Sequence, residues 1–76
     1  MKWIADITVP KPMHFVIEQQ KLTCLDPSVP DEFCYYLFVF ENGLDLYDYV
    51  QDELETAIDF AFRKFNVPKA AWQQVE

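Results

Sequence analysis

Side chains that could carry out catalysis are scarce in this chain. It contains one histidine, His14, two cysteines, Cys24 and Cys34, and one serine. Nucleophilic catalysis needs a nucleophile, a base and a third group that orients the base, all converging in a pocket. Cys34 and His14 could supply only the nucleophile and the base, and a domain of this size can hardly enclose a pocket around them. We therefore expect no enzymatic activity and no catalytic residues.

Candidate metal ligands are also few in this chain. A zinc site made of Cys24, Cys34 and His14 would lack a fourth thiolate or imidazole, and it would lack the close ligand spacing of structural zinc motifs. The sequence therefore predicts no metal site and no cofactor. We expect both cysteines to be reduced and to pack as small apolar side chains. His14, which stands beside Phe15 and Val16, is expected to be structural.

Acidic residues are concentrated in one part of the chain. Residues 41 to 59 include seven acids and no lysine or arginine, and the formal net charge of the chain is −7. The residues that we take as a candidate acidic surface are Asp45, Asp48, Asp52, Glu53, Glu55 and Asp59. We expect Asp45 and Asp48 to point to opposite faces of a strand, and Glu55 and Asp59 to lie one helical turn apart on a convex surface. Neither pair could act on one bond, so solvated acids are expected, and the alternative is a weak divalent-cation site.

The negative net charge also indicates which classes of partner are not expected. Nucleic-acid phosphates and anionic membrane surfaces both favour basic patches, so an acidic chain is not expected to bind either directly. No apolar run is long enough to span a bilayer, and Asp6 interrupts the apolar start that a secretory signal would need. We expect a cytoplasmic protein with a protein partner or a second copy as its ligand.

Length and composition predict a single domain over residues 1–76. The chain is 51% hydrophobic and 17% aromatic, which is enough for a packed core although the size is near the lower limit for one. Alternation of apolar residues predicts a first strand over Lys2–Val9, ended by Pro10 and Pro12. Residues 13–25 are read as a strand, a turn at residues 19–21 and a short strand at 22–25, with a helix from Pro12 as the alternative. Residues 26–32 are predicted to form a loop.

A β-hairpin is predicted around Asn42-Gly43, because a two-residue type I′ turn needs positive φ at both central positions. With that turn, regular pairing places Phe40 opposite Asp45, and successive pairs follow to Tyr36 opposite Tyr49. One face of the hairpin is then mainly aliphatic and carries Tyr35, Leu37, Val39, Leu44, Leu46 and Val50. The other is mainly aromatic and carries Cys34, Tyr36, Phe38, Phe40, Tyr47 and Tyr49.

An amphipathic helix is predicted to follow, with Asp52 as its N-cap and Glu55 three residues later. Its apolar stripe has helical spacing and consists of Leu54, Ala57, Ile58, Ala61, Phe62 and Phe65. Asn66 can adopt the left-handed conformation that ends a helix. Phe60 lies outside the stripe, so it either packs under the N-terminal segment or the tail, or contacts a partner. A final turn over residues 69–73 would bring Trp72 back onto the body.

The ending of the chain, DELETAIDFAFRKFNVPKAAWQQV, resembles the closing pattern of small, largely uncharacterised bacterial proteins, some of which are grouped with toxin-immunity proteins. The matching residues are Asp52, Leu54, Glu55, Ala57, Ile58, Ala61, Phe65, Val67 and Trp72. The resemblance implies a strand followed by a helix and a terminal tryptophan. It also implies a bacterial protein with an immunity-type role.

These patterns predict an α+β fold, with a small antiparallel sheet of three to four strands and one amphipathic C-terminal helix packed on one face. We expect the helix to cover the aliphatic face, and the alternative is that it covers the aromatic one. The leading functional hypothesis is a non-enzymatic interaction module that binds a partner protein or itself. Its candidate interface residues are Tyr36, Phe38, Phe40, Tyr47, Tyr49 and Phe60. The alternative is an acidic inhibitor of the immunity or nucleic-acid-mimic type, which blocks a basic site on a toxin or nucleic-acid-binding protein.

Overall fold

The computed structural model describes residues 1–22 and 32–76, which form an antiparallel sheet and one α-helix. The elements are β1 (Lys2–Ile7), β2 (Met13–Leu22), β3 (Glu32–Glu41), β4 (Leu44–Gln51), α1 (Leu54–Phe65), a 3-10 turn (Lys69–Ala71) and β5 (Gln73–Gln74). The sheet order is β4-β3-β2-β1-β5, and all neighbouring strands are antiparallel. The α+β prediction is confirmed, but the described sheet has five strands rather than three to four. The two residues of β5 are too few to show a periodicity.

The second strand is longer than the sequence indicates. The strand predicted over Lys2–Val9 is confirmed for Lys2–Ile7, whereas the turn predicted at residues 19–21 and the alternative helix are both wrong. Residues 19–21 stay in β2 because β3 pairs with all three, and the Gln19 side-chain amide donates to the Tyr35 hydroxyl at 3.0 Å. Glu32, the last residue of the predicted loop, is instead the first residue of β3. The other loop residues and the strand residues predicted at 23–25 lie outside the described residues.

The hairpin turn is confirmed, but the strand that follows it contains a bulge. Asn42 and Gly43 have φ values of 53° and 76°, as a type I′ turn requires. Phe40 pairs with Asp45 as predicted, but Val39 pairs with Tyr47, so Leu46 has no partner opposite it. An extra residue of this kind on one strand is a β-bulge. The four pairings predicted beyond Phe40 are therefore wrong by one residue.

The bulge changes which side chains of β4 share a face. Because side chains alternate along a strand, a shift by one residue moves every later side chain to the other face. Tyr47 and Tyr49 now lie on the same face as Leu37 and Val39, and Val50 lies on the other. The prediction that Tyr47 and Tyr49 share a face with the aromatic residues of β3 is wrong.

Helix α1 packs on the face of the sheet that carries Leu37 and Val39, so the alternative placement of the helix is wrong. Two small residues, Ala57 and Ala61, allow the helix to approach closely, and both are fully buried. The core cluster consists of Ala5, Ile7, Phe15, Ile17, Leu37, Val39, Ala57, Ala61 and Val67.

The helix begins one residue later than predicted and ends where predicted. Glu53 is the N-cap, it remains extended with φ −133° and ψ 149°, and it makes no side-chain capping hydrogen bond. The prediction of Asp52 as N-cap is wrong because Glu53 itself is still extended and helical geometry begins at Leu54. At the other end Asn66 is left-handed, with φ 59°, and its N–H donates to the Phe62 carbonyl at 3.0 Å.

Trp72 returns to the body of the domain as predicted. The 3-10 turn precedes it, and its ring lies edge-on to Phe15 with the centroids 6.5 Å apart. The Trp72 indole nitrogen is buried and has no hydrogen-bond partner among the described residues. No helix in the described part of the chain is both long and apolar enough to cross a membrane.

Candidate protein-interaction face

The face of the sheet opposite α1 carries a continuous set of apolar side chains, which we call the open face. Strand pairing aligns them across four strands, because residues directly opposite each other share a face. They are Ile4 on β1, Val16 on β2, Tyr36, Phe38 and Phe40 on β3, and Val50 on β4. None of the six belongs to the core cluster or is among the described residues packed against it. All are partly exposed, and Val50 is 54% exposed.

The aromatic rings of the open face form a row along β3. Tyr36 and Phe38 are stacked, with their centroids 6.2 Å apart and their planes 17° apart. Phe40 extends the row and contacts the His14 ring at 5.9 Å. Tyrosine and phenylalanine rings offer a large contact area with few rotatable bonds, so the row is suited to anchoring a partner.

A groove of about 620 Å³ lies at the hairpin end of the open face. Its lining includes Phe40, Val16 and the Asn42-Gly43 turn, together with Asp6 and His14. The imidazole Nδ1 of His14 lies 2.7 Å from a carboxylate oxygen of Asp6, so the ring donates to Asp6 when its proton is on Nδ1. The groove is therefore mostly apolar, with one oriented imidazole at its wall.

Cys34 is too far from His14 to act with it. Cys34 pairs with Gln20, six residues from His14 on β2, which is about 20 Å along the strand. The thiol is free and only 4% exposed. The pKa of the Tyr36 hydroxyl is raised by a hydrogen bond with the Cys34 side chain, by the electrostatic effect of Cys34 and by desolvation of the hydroxyl. Within the described residues no three histidine, cysteine or acidic side chains are grouped as metal ligands, and Cys24 lies outside those residues.

Asp45 and Asp48 lie on the open face beside the aromatic row. Asp45 is opposite Phe40 and Asp48 is opposite Phe38, so the prediction that these two acids point to opposite faces is wrong. Bulge residue Leu46 is the reason, because it adds one residue between them. Desolvation, the charge of Asp48 and a hydrogen bond with Asp48 raise the pKa of the Asp45 carboxyl. None of the ion pairs between described residues involves either acid.

The other predicted acids lie elsewhere. Asp59 on α1 is bound by Arg63 at 2.9 Å and by Lys69 at 3.4 Å, so its charge is compensated. Asp52, Glu53 and Glu55 are exposed at the connection into α1 and in its first turn. The six predicted acids are thus divided among three places, and the structure does not bring them together.

Three of the predicted interface rings are on the side of the helix. Phe60 packs on Tyr49, with their centroids 4.6 Å apart, and Tyr47 lies 6.2 Å from Phe65. Phe60 therefore packs on β4 of its own sheet and against the core. Conversely, sequence reasoning did not select Ile4 and Val16. Their alternation with Trp3 and Phe15 marks them as one face, but only the pairing with Phe38 shows which face.

The raised pKa of Asp45 leads to a prediction about stability. A carboxyl whose pKa is raised in the folded state is disfavoured there as an anion. The free energy of unfolding therefore falls as the pH rises from the ordinary pKa of the carboxyl to its raised pKa in the folded protein. Asp45→Asn should therefore raise the melting temperature at pH 7, and the gain should shrink as the pH falls below the raised pKa. Thermal melts at several pH values test this, with exposed Asp52→Asn as the control. An unchanged melting temperature at pH 7 would contradict it.

Comparisons with known proteins identify no relative. No family model matches the chain, and no curated protein or solved structure matches it. The similarity of its ending to immunity proteins thus stays a prediction. The fold and the candidate site define a small α+β domain whose sheet packs a helix on one face and presents aromatic side chains on the other.

Proposed function

We propose that this protein is a non-enzymatic interaction module that binds a protein through the open face of its sheet. The observation that carries the proposal is the unbroken set of apolar side chains across four strands, on the face that α1 does not occupy. A sheet has two faces and one helix can cover only one of them. Contiguous apolar surface on a small protein marks an interaction site more often than isolated exposed residues do.

The composition of the open face also supports protein recognition. Central aromatic residues with polar or charged neighbours are typical of interfaces, and here the row of Tyr36, Phe38 and Phe40 is flanked by Asp45 and Asp48 on one side and by His14 on the other. A bacterial cytoplasmic location and an immunity-type role, in which the bound protein is a toxin, are particular forms of this proposal. The bacterial origin and the immunity-type role are supported only by the pattern of the C-terminal segment.

The proposal is tested by matched substitutions on two surfaces. Phe38→Asp places a charge in the centre of the open face, and Phe62→Asp makes the same change at a 47% exposed ring on the helix. We expect Phe38→Asp to abolish binding and Phe62→Asp to retain it. The partner is captured with the wild type from the source cells, identified by mass spectrometry and then measured in purified form, while sedimentation velocity measures self-association.

Two outcomes decide the matter. The proposal is supported if Phe38→Asp is folded and loses the complex while Phe62→Asp keeps it. A folded Phe38→Asp variant that binds the purified partner, or self-associates, as strongly as the wild type would show that the open face is not the interface. Far-ultraviolet circular dichroism of both variants confirms that each is folded before binding is compared.

A further inference from the structure

We infer that the partner of the open face is a basic protein segment, which seats an arginine or lysine side chain between the rings of Phe38 and Phe40 and the carboxylates of Asp45 and Asp48. This inference rests on the proposed function and specifies the chemistry of its partner. We call these four residues the acid–aromatic corner.

The register of the hairpin creates the acid–aromatic corner. Asp45 lies directly opposite Phe40, and Asp48 lies directly opposite Phe38, on neighbouring strands and on one face. Side chains placed in this way have Cβ atoms about 5 Å apart. A guanidinium that stacks on either ring is therefore within reach of the neighbouring carboxylate. Arginine is particularly suited, since it is planar, stacks on aromatic faces and can bind a carboxylate through two hydrogen bonds.

The charge of the acid–aromatic corner also favours a basic partner. Among the described residues, four basic side chains form ion pairs elsewhere, with Lys2 near Glu76, Lys11 at Glu41, and Arg63 and Lys69 at Asp59. The two acids of the corner raise each other's energy as anions, because like charges repel at close range. A cation brought by a partner would relieve that repulsion and would also gain the apolar contact.

The same charges disfavour a second copy as the occupant. The charged residues of the described strands that share the open face are Lys2, Asp6, Glu18, Glu32, Asp45 and Asp48. Five of these six are acids, so stacking two open faces would bring together mostly like charges, and each chain carries a net charge of −7. Pairing two copies through the free edge of β4 is also disfavoured, because charged side chains and a bulge on an edge strand are features that protect it from self-association.

The test uses defined peptides as the probe. A ten-residue peptide that alternates arginine with leucine is titrated into the ¹⁵N-labelled protein, and a second peptide replaces every arginine with citrulline, which has nearly the same shape and no charge. We expect the arginine peptide to shift the amide signals of Phe38, Phe40 and Asp48. We expect the citrulline peptide to bind about tenfold more weakly or worse, as two lost charged contacts would give.

Two double variants with the same change in charge locate the effect. Asp45→Asn with Asp48→Asn should weaken the arginine peptide to the level of the citrulline peptide. Asp52→Asn with Glu53→Gln, which removes the same charge from the connection into α1, should leave its affinity within about a factor of two. The first double variant is expected to fold at least as well as the wild type, because it removes a repulsive pair.

The outcomes separate this inference from the proposed function. If both peptides bind the open face equally, or if the second double variant weakens binding as much as the first, the inference is wrong while the interaction face stands. If neither peptide binds and the wild type sediments as a dimer that Phe38→Asp dissociates, the occupant is a second copy and the inference is again wrong. If peptide shifts map away from the open face and Phe38→Asp binds its partner normally, both proposals fail.

Discussion

Phe15→Ala is expected to destabilise the protein by about 3–5 kcal/mol, the usual cost of removing a buried aromatic ring. Phe15 is fully buried on β2, in the middle of the sheet, and its ring contacts those of Phe65 at 5.4 Å and Trp72 at 6.5 Å. A domain of this length has a free energy of unfolding of about 4–11 kcal/mol, so the variant would lose much or all of its stability. Urea unfolding followed by tryptophan fluorescence measures the change.

Phe38→Ala is the matched control for that experiment. It removes the same atoms from the neighbouring central strand, but from the open face rather than the core. We expect a cost below about 1 kcal/mol, because the ring is partly exposed, stacks on Tyr36 and lies outside the core cluster. An equal cost for both substitutions would show that Phe38 is packed within the monomer, and it would remove the basis of the proposed interface.

Features that depend on residues close in sequence could be predicted from the sequence. The Asn42-Gly43 turn, most of the apolar stripe of α1 and the left-handed Asn66 are encoded within a few residues, and the structure confirms them. The exception in the stripe is Phe62, which is 47% exposed, whereas Phe60 packs against the core. Together they were sufficient for the α+β class, but they left open which face the helix covers. They were not sufficient to fix the extent of the sheet.

The features that were missed depend on pairing between distant segments. Gln19 has turn-like polar neighbours, yet it remains in β2 because Tyr35 lies opposite and accepts its side-chain hydrogen bond. Gln73 and Gln74 form β5 only because Trp72 packs on Phe15 and so brings the tail alongside β1. Nothing local in either segment specifies the strand that pairs with it.

The candidate site shows the same limit. Tyr36, Phe38 and Phe40 could be selected from the sequence because they alternate on one strand. Their companions could not, since the identity of the side chains on β4 that join them depends on Leu46. That single residue moves two tyrosines to the helix side and brings two aspartates together beside the aromatic row. The chemistry inferred for the partner therefore follows from the bulge rather than from the hairpin pattern.

An insertion of one alanine after Leu46 is expected to destabilise the protein by about 3 kcal/mol, whereas deletion of Leu46 is expected to cost only about 1 kcal/mol. Deletion leaves Asp45 opposite Phe40 and lets Tyr47 follow directly opposite Val39, so the existing pairs continue without a bulge. Insertion adds a second unpaired residue. One extra residue reverses the face of every later side chain on the strand, so Tyr49 turns away from α1. It then loses its contacts with Phe60 at 4.6 Å and Phe65 at 6.4 Å.

The order of these two effects distinguishes the bulged strand from a regular one. In a regular hairpin with Val39 opposite Leu46, an insertion could be absorbed as a new bulge, while a deletion would reverse the faces of every later residue. Urea unfolding of the two variants therefore decides the register, with Leu46→Ala as the control for the loss of the side chain alone. A deletion that costs more than the insertion would contradict the bulge. It would also separate Asp45 from Asp48 and remove the structural basis for a basic partner.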